Sequence, residues 1–553
     1  MTLFERILLA RGLNTPEKRR VFLEPDYQSA KHDPFLLPDM AKAVARLKLA
    51  HQNQEQIVIY GDYDIDGLSA TALLLDAFGK FGFRGVEAFI PNRFVEGYGM
   101  TTGAVDKVKA MGAELIVTVD CGSLNHREIA YASSLGIDTI VTDHHNVAET
   151  PPPAVAAVNP RFEGHDYPFR DLCGAGVAFK LVQALQTELN GLDDGHEKWL
   201  LDLVALGTVC DIVKLEDENR TNVYWGLQVM KKQHRTGLKA LTAVAGIEPE
   251  QLTARSLGFG LGPRMNAAGR LETAQHALDM LTATDGLDAL SASEKLEELN
   301  QKRRSIQDGI FEQAIVQAEQ LSGDRVLVVS ALDWNHGVIG IVASKLVEKY
   351  KKPTFIISER GDEATGSARS FGDFSVAEAV HSAEDLIIKG GGHSAAAGVS
   401  LLTDKIPEFR DRVNQFYDSL KLKDQQKFLL PRADVEIDDF GEIDEQLVFD
   451  IARMEPFGNG NTEPVLKINN VQVLNCRQMG SDGQHIKLTV RDKLGKTLDM
   501  LAFGAPEHFY CDVGVEVSIW FQLTINDWNG TRAIEGRLLE LEDFKYIGKS
   551  GKM

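Results

Sequence analysis

Ile57-Val58-Ile59-Tyr60-Gly61-Asp62-Tyr63-Asp64-Ile65-Asp66-Gly67 is an apolar run that ends in three alternating aspartates. The β-favouring residues 57–60 read as a buried strand, and Gly67 relieves the turn into a helical pattern over 68–78. Alternating residues on a strand face opposite sides, but a chain leaving the sheet can curl and bring Asp62, Asp64 and Asp66 toward one centre. A helix N-cap followed by dipole-favoured carboxylates is the plain alternative, although three carboxylates exceed what a cap requires.

The same arrangement recurs downstream. Apolar runs at 87–90, 114–119, 138–142 and 154–158 alternate with helix-like segments, which predicts a parallel sheet with helices on both faces and ligands gathered at the strands' carboxyl ends. One run delivers Asp120, followed by Cys121-Gly122, and another delivers Asp143-His144-His145. Asp211 sits inside the apolar segment Gly207-Thr208-Val209-Cys210-Asp211-Ile212-Val213, where an unpaired carboxylate would be costly. Each group alone has a bland reading: a strand-ending Asp, a solvated polar turn, an Arg-paired carboxylate. Together they form the ligand set of a dinuclear Mg²⁺ or Mn²⁺ site that attacks phosphate esters. Asp120 could bridge the ions; one imidazole could bind metal while the other contacts a phosphate oxygen or the leaving group.

Composition agrees with a globular protein of several domains: 553 residues, 44% hydrophobic and 25% charged. Five scattered cysteines without a Cys-x-x-Cys pair argue against structural zinc or a disulfide framework and point to a reducing cytoplasm. No run reaches ~18 uncharged apolar residues, so neither a leader nor a membrane span is expected. A net charge of -21 lowers the expectation of tight duplex binding. A threaded single strand remains compatible, because a local groove and two bound dications can supply the positive field.

Beyond the first sheet, residues 199–282 read as mostly helical, interrupted by a loop at 258–269. A long helix over about 287–321 looks like a connector. Strands at 325–330 and 353–357 bracket a helix at 338–350, followed by a Gly-rich loop at 390–398; these define a second α/β domain. Five short strands, 465–474, 485–491, 497–503, 515–524 and 533–541, suggest a small barrel.

The motifs resemble those of a known family. Asp64-Ile65-Asp66-Gly67, Thr118-Val119-Asp120-Cys121-Gly122, Asp143-His144-His145 and the segment around Asp211 match, in order, the four motifs of the DHH phosphoesterases. The likeness extends to the RecJ-type exonucleases through Pro91-Asn92-Arg93, Glu96-Gly97-Tyr98-Gly99 and Gly262-Pro263-Arg264-Met265-Asn266-Ala267-Ala268-Gly269-Arg270-Leu271. It continues in Gly337-Val338-Ile339-Gly340, Gly366-Ser367-Ala368-Arg369-Ser370, Gly391-Gly392-His393 and Pro456-Phe457-Gly458-Asn459-Gly460-Asn461. One departure stands out: the family usually places a histidine directly after the tryptophan here numbered 334, whereas this chain has Asn335 and then His336.

The resemblance implies an α/β fold: a parallel-sheet DHH domain joined by a long helix to a smaller α/β DHHA1 domain, plus a C-terminal β-barrel of OB type. The expected boundaries are 1–285 for the N-terminal segment and DHH domain, 286–321 for the helix, 322–428 for DHHA1, 429–545 for the barrel, and 546–553 for a disordered tail. It implies a single-stranded-DNA-specific 5′-to-3′ exonuclease of recombination and repair, using two Mn²⁺ or Mg²⁺ ions. Asp64, Asp66, Asp120, His144 and Asp211 would hold the ions with Asp62 nearby, and His145 would act on the scissile phosphate. Arg369 and Ser370, with Ser367, would grip the 5′-terminal phosphate; Arg93, Arg264, Asn266 and Arg270 would contact the strand near the metals. A helicase and a single-strand-binding protein are the implied partners.

Elementary chemistry supports these roles without fixing them. The Gly-rich stretch lets backbone N–H groups of Gly392 and its neighbours approach phosphate, and His393 adds a donor, though many such loops are only turns. Lys487, Phe503, Trp520 and Trp528 could combine charge with base stacking, with Trp520 better read as core. Two other readings share the metal motifs: a hydrolase of short oligonucleotides or cyclic dinucleotides, which needs no C-terminal barrel, and a catalytically dead strand-binding scaffold, which needs no complete ligand set.

Overall fold

β1 Ile57–Gly61, β2 Val86–Phe89, β3 Leu115–Val119, β4 Asp138–Thr142 and β5 Ala156–Val158 pair in parallel, in the order β2-β1-β3-β4-β5. The computed structural model describes residues 1–543 except 98, 423–427, 481–482 and 529–530. Every residue of β1 and β3 is buried, as strands covered on both faces must be. The strand order reverses between β1 and β3, so their connections leave in opposite directions and open a crevice at the carboxyl ends, where Asp62 and Asp120 lie. A Cβ on Gly67 would stand 2.6 Å from the Asp62 carbonyl oxygen; only glycine lets the helix Ile65–Phe81 start this close to the strand end.

This sheet belongs to a unit of residues 31–213 and 217–427. Helices follow the sheet, among them Gly174–Gln186 and Leu201–Cys210, the latter ending at Asp211. The expected loop at 258–269 is instead a π-helical turn, Ser256–Leu261, running into the α-helix Gly262–Leu271. Proline in a first helical turn costs no hydrogen bond, and Gly262 and Gly269 allow close approach to Cys210 Sγ and the Tyr63 carbonyl; the glycines serve packing rather than flexibility. Asp285 caps the long helix Gly286–Gln320, accepting from the Leu287 and Asp288 N–H groups; at 35 residues it is about 52 Å long.

The second sheet comprises β6 Leu327–Leu332, β7 Thr354–Arg360, β8 Glu363–Arg369, β9 Ile387–Gly392 and β10 Ala396–Leu402, in the order β6-β7-β8-β10-β9. Only β6 and β7 are parallel. The Gly-rich stretch 390–398 is therefore mostly strand, correcting the expected loop: its glycines fit a crowded hairpin, where a Cβ on Gly390 would lie 2.5 Å from Val380.

The other unit contains residues 1–30, 214–216 and 428–553. Its barrel strands are β12 Leu466–Met479, β13 His485–Arg491, β14 Thr497–Ala502, β15 Glu516–Trp528 and β16 Thr531–Asp543, with a short parallel strand, β11 Val435–Ile437, beside β12. β12 is long enough to pair with β15 through its first half and β13 through its second, which closes the circuit β12-β13-β14-β16-β15. A register shift between Ile468 and Val471, with Asn470 in the left-handed region, bends β12 for this purpose. Leu3, Ile7 and Leu8 of the N-terminal helix Leu3–Ala10 join the barrel's apolar cluster, and Arg11 grips Asp434 through Nε (2.9 Å) and Nη2 (3.2 Å). Residues 1–30 thus pack within the barrel unit, whereas the sequence reading grouped them with the catalytic domain. The expected disordered tail lies outside the described residues. Among the described residues no helix is long and apolar enough to cross a membrane.

Candidate metal centre

Three strand ends and one helix end converge on a carboxylate cage. Asp64 caps the helix Ile65–Phe81, its Oδ1 accepting from the N–H groups of Asp66 (2.9 Å) and Gly67 (3.1 Å), so the capping alternative holds for one oxygen of one residue. Asp66 is fixed by the N-terminus of the helix Gly174–Gln186: its Oδ1 accepts from the Ala175 N–H (2.8 Å) and its Oδ2 from that of Gly174 (2.5 Å). Asp120 leaves β3 in the left-handed region, φ +63°, with its Cβ 2.7 Å from where a Cβ on Gly174 would stand. Glycine at 174 is what admits it.

His144 Nε2 lies 3.1 Å from Asp120 Oδ1, 3.6 Å from Asp211 Oδ2 and 3.7 Å from Asp66 Oδ2. His144 Nε2 makes no hydrogen bond, and the buried Oδ1 atoms of Asp62 and Asp120 are likewise unpartnered. Buried polar atoms are normally satisfied, so these orphans, all pointing into one cage, fit divalent cations. Among the described residues, three overlapping groups have ligand atoms within 4.8 Å of one another: Asp62, Asp64 and Asp120; Asp66, His144 and Asp211; Asp120, His144 and His145. Asp120 and His144 each belong to two of them, and a carboxylate such as Asp120, with two oxygens, could serve both groups.

Electrostatics point the same way. Burial, then the charge of Asp64, pushes Asp62 up to about 8 and Asp66 to about 6. Burial and Asp66 push Asp211 to about 8, and burial with the surrounding aspartates raises Asp120 well above the carboxylate range. His144 is driven down to about 4 by burial and by the neighbouring His145. So many anions cannot share a dry cage without compensating positive charge.

His145 is arranged differently. Burial opposes its charge, but the 2.9 Å hydrogen bond from Nδ1 to Asp143 Oδ1 carries it up to about 9. Asp143 is itself anchored by the N–H groups of Ser123 (2.9 Å), His144 (2.7 Å) and His145 (3.1 Å), and it stays below its ordinary range despite burial. Sequence reasoning left Asp143 outside the site; its position beside two histidines was the available signal. It also overlooked Asn159 and Arg161, which follow the next apolar run and hold the histidine carbonyls.

The expected phosphate-facing residues divide. The Arg93 guanidinium lies 4.3 Å from the centre of the Tyr63 ring, within the metal motif. Arg270 donates from Nη1 to the Gly337 carbonyl (3.0 Å); burial and then the charges of Arg93, Arg303 and Arg369 draw it down to about 10. Arg369 donates from Nη1 to Ser367 Oγ (3.2 Å) and the Ala368 carbonyl (2.7 Å). Arg93, Arg270 and Arg369 thus form a partly desolvated cationic cluster, with Ser367 attached. Ser370 instead donates its hydroxyl to the Phe374 carbonyl. Arg264 is committed to Glu297 (2.5 Å) and the Gly260 carbonyl (2.7 Å), Asn266 is half-buried, and Gly392 with the exposed His393 sits at the β9–β10 turn. Asn335 caps the helix His336–Tyr350; partial burial and the cations Arg360, Arg93 and Lys389 hold His336 low, placing it on the same basic face.

In the barrel, Trp520 is core and Phe503 is 67% exposed. Lys487 is spent on Asp499 (2.9 Å) and Glu535 (3.0 Å), leaving little charge for a strand. The side chain of Trp528 lies outside the described residues.

A parallel sheet that gathers aspartates and a His pair at its switch point, followed by a long helix and a second α/β domain, defines a DHH-type phosphoesterase. Family models agree: the DHH family N-terminal domain matches residues 56–208, the DHHA1 domain 323–419 and the RecJ OB domain 433–540. The chain is 33% identical to the single-stranded-DNA-specific exonuclease RecJ of Haemophilus influenzae, covering 96% of this chain and 95% of that one. It is 36% identical to RecJ of Bacillus subtilis, spanning 95% of this chain but 66% of that protein. The crystal structure of Thermus thermophilus RecJ with Mn²⁺ superposes with a TM-score of 0.81 at 29% identity, over 98% of this chain and 76% of that one. The chain belongs to the RecJ family.

Proposed function

We propose that this chain is a two-metal exonuclease that removes nucleotides from the 5′ end of single-stranded DNA in recombination and repair. The observation that carries it is the pair Asp120 Oδ1 and His144 Nε2, 3.1 Å apart and neither hydrogen-bonded, buried in a carboxylate cage at the switch point of the parallel sheet. Relatives named as single-stranded-DNA-specific exonucleases, and RecJ structures holding Mn²⁺ or Mg²⁺, support it.

Asp62, Asp64, Asp66, Asp120, His144 and Asp211 would hold two Mn²⁺ or Mg²⁺ ions. When bound, the ions supply Lewis acidity to the scissile phosphate and its attacking water. His145, kept protonated by Asp143, holds a proton ready for the leaving oxygen. Arg93, Arg270 and Arg369 supply a cationic pocket for a terminal phosphate, and Arg264, Asn266, Ser367, Ser370, Gly392 and His393 border the strand's path. If that pocket sets polarity, cleavage must leave a phosphate on each new 5′ end, so the P–O3′ bond is the one broken. The domain boundaries 286–321, 322–428 and 429–545, the cytoplasmic location and the helicase and single-strand-binding partners are part of the same reading. The presence of a matched barrel weighs against a hydrolase of short oligonucleotides alone.

Digestion of 5′-phosphorylated against 5′-hydroxyl single strands with Mn²⁺ tests it. Shortening from the 5′ end that prefers the phosphorylated strand is expected; release of 3′-terminal nucleotides first would refute the polarity.

A further inference from the structure

The histidine pair is held from one side by a single turn. β5 runs out into Asn159-Pro160-Arg161, one strand beyond the histidines. The fully buried Asn159 donates from Nδ2 to Ser123 Oγ (2.8 Å) and to the His145 carbonyl (3.0 Å), and its Oδ1 accepts from the Arg161 N–H (2.9 Å). That turn brings Arg161 Nε onto the His144 carbonyl at 2.6 Å. Two successive carbonyls are thus fixed by residues two positions apart.

The carbonyl bond uses only Nε–H. Nη2 forms a long ion pair with Asp171 Oδ1 (3.8 Å), beyond hydrogen-bond distance, and 38% of the side chain is exposed. Arg161 Nε is hydrogen-bonded to the main chain of His144, whose ring lies within 3.1–3.7 Å of Asp120, Asp211 and Asp66, so the guanidinium stands beside the metal cage. Anchoring a carbonyl needs one neutral donor. A guanidinium whose Nη edge is held only by a long ion pair beside a phosphodiesterase centre can offer that edge to phosphate oxygens, whose fork geometry it matches.

We propose that Arg161 is a phosphate-binding residue of this reaction: Nε locks the His144 peptide while the Nη edge takes a non-bridging oxygen of the phosphate being cleaved. This rests on the phosphodiesterase reading above. It gives the chain a fixed positive group where the transition state gains charge, delivered by the turn that positions both histidines.

The test uses the full chain with Arg161→Gln and Arg161→Lys. Calorimetry reads Mn²⁺ binding alone and inorganic phosphate binding to the Mn²⁺-loaded protein; steady-state kinetics on single-stranded DNA give kcat and KM. For R161Q, Mn²⁺ affinity should stay within about twofold, while phosphate affinity and kcat fall by about 10–100-fold, the range for a charge-assisted hydrogen bond; R161K should recover part of both. Loss of Mn²⁺ affinity in step with kcat would overturn the proposal, making Arg161 only a brace for the metal loop. Phosphate binding and kcat within twofold of the parent would overturn it equally. If the parent did not cut single strands yet R161Q lost phosphate binding, the exonuclease reading would fail and the assignment of Arg161 would stand.

Discussion

His144 Nε2 and Asp120 Oδ1 are 3.1 Å apart in a buried cage, yet neither makes a hydrogen bond. Two buried polar atoms at that distance that make no hydrogen bond are arranged for a third party with positive charge. Replacing Asp120 by Ala should therefore abolish Mn²⁺-dependent hydrolysis, exceeding the ~10–100-fold typical of losing an outer partner of a metal ligand. Calorimetric Mn²⁺ titration should show that one or both sites are lost while the circular-dichroism spectrum is unchanged.

The cage also predicts how the cation-free protein responds to pH. Asp62, Asp66 and Asp211 have folded values raised to about 8, 6 and 8, above the ordinary carboxylate value near 4, so their protonated forms favour the fold. That contribution is present below pH 4 and is lost as pH climbs through 6 to 8. His145, raised to about 9, acts in the same direction between pH 6.5 and 9. His144, lowered to about 4, acts oppositely and only between pH 6.5 and 4. Melting curves in EDTA should show the metal-free protein less stable at pH 8.5 than at pH 6.5, and Mn²⁺ should raise the midpoint more at the higher pH.

Asp143→Asn tests the proton-holding role of His145. The amide can still accept from backbone N–H groups but no longer supports a charged imidazole, so kcat should fall by about 10–100-fold with Mn²⁺ affinity little changed. An equal loss of metal affinity would show that Asp143 serves the cage instead.

Arg369→Ala removes a partly desolvated guanidinium from the cluster with Arg270 and Arg93. KM for 5′-phosphorylated strands should rise by about 10–100-fold, with a much smaller change for 5′-hydroxyl strands. Competition kinetics between the two substrates measure the difference.

The N-terminal helix gives a prediction about architecture. Ile7 is wholly buried in the barrel's cluster, so Ile7→Ala should destabilise that unit by about 2–5 kcal/mol while leaving Mn²⁺ affinity unchanged. Differential scanning calorimetry with and without Mn²⁺ separates the two effects.

The cage of carboxylates and histidines was legible in the sequence because its members follow apolar runs in register: a buried parallel strand must be apolar throughout, so the polar residue that ends it stands out. Asp62, Asp120 and His144 were all visible in this way. The same logic reached 154–158 but stopped short of Asn159 and Arg161, whose parts depend on bonds to main-chain carbonyls that no side-chain pattern encodes. Glycine misled twice, at 258–269 and 390–398, because local composition cannot distinguish a flexible glycine from one required by close packing. Arg264 shows another limit. Its partner Glu297 is 33 residues away on the long helix, and only the folded chain brings them to 2.5 Å. The affiliation of residues 1–30 with the barrel likewise depends on packing across more than four hundred residues of sequence.

The most direct test is digestion of a long single strand carrying a fluorophore at its 3′ end, with Mn²⁺, beside an Asp120→Ala control and a matched duplex. The account predicts progressive shortening from the 5′ end with the parent protein, and none with the variant or on the duplex. A long strand left intact while di- to pentanucleotides are hydrolysed would contradict it, as would equal activity in the Asp120→Ala variant.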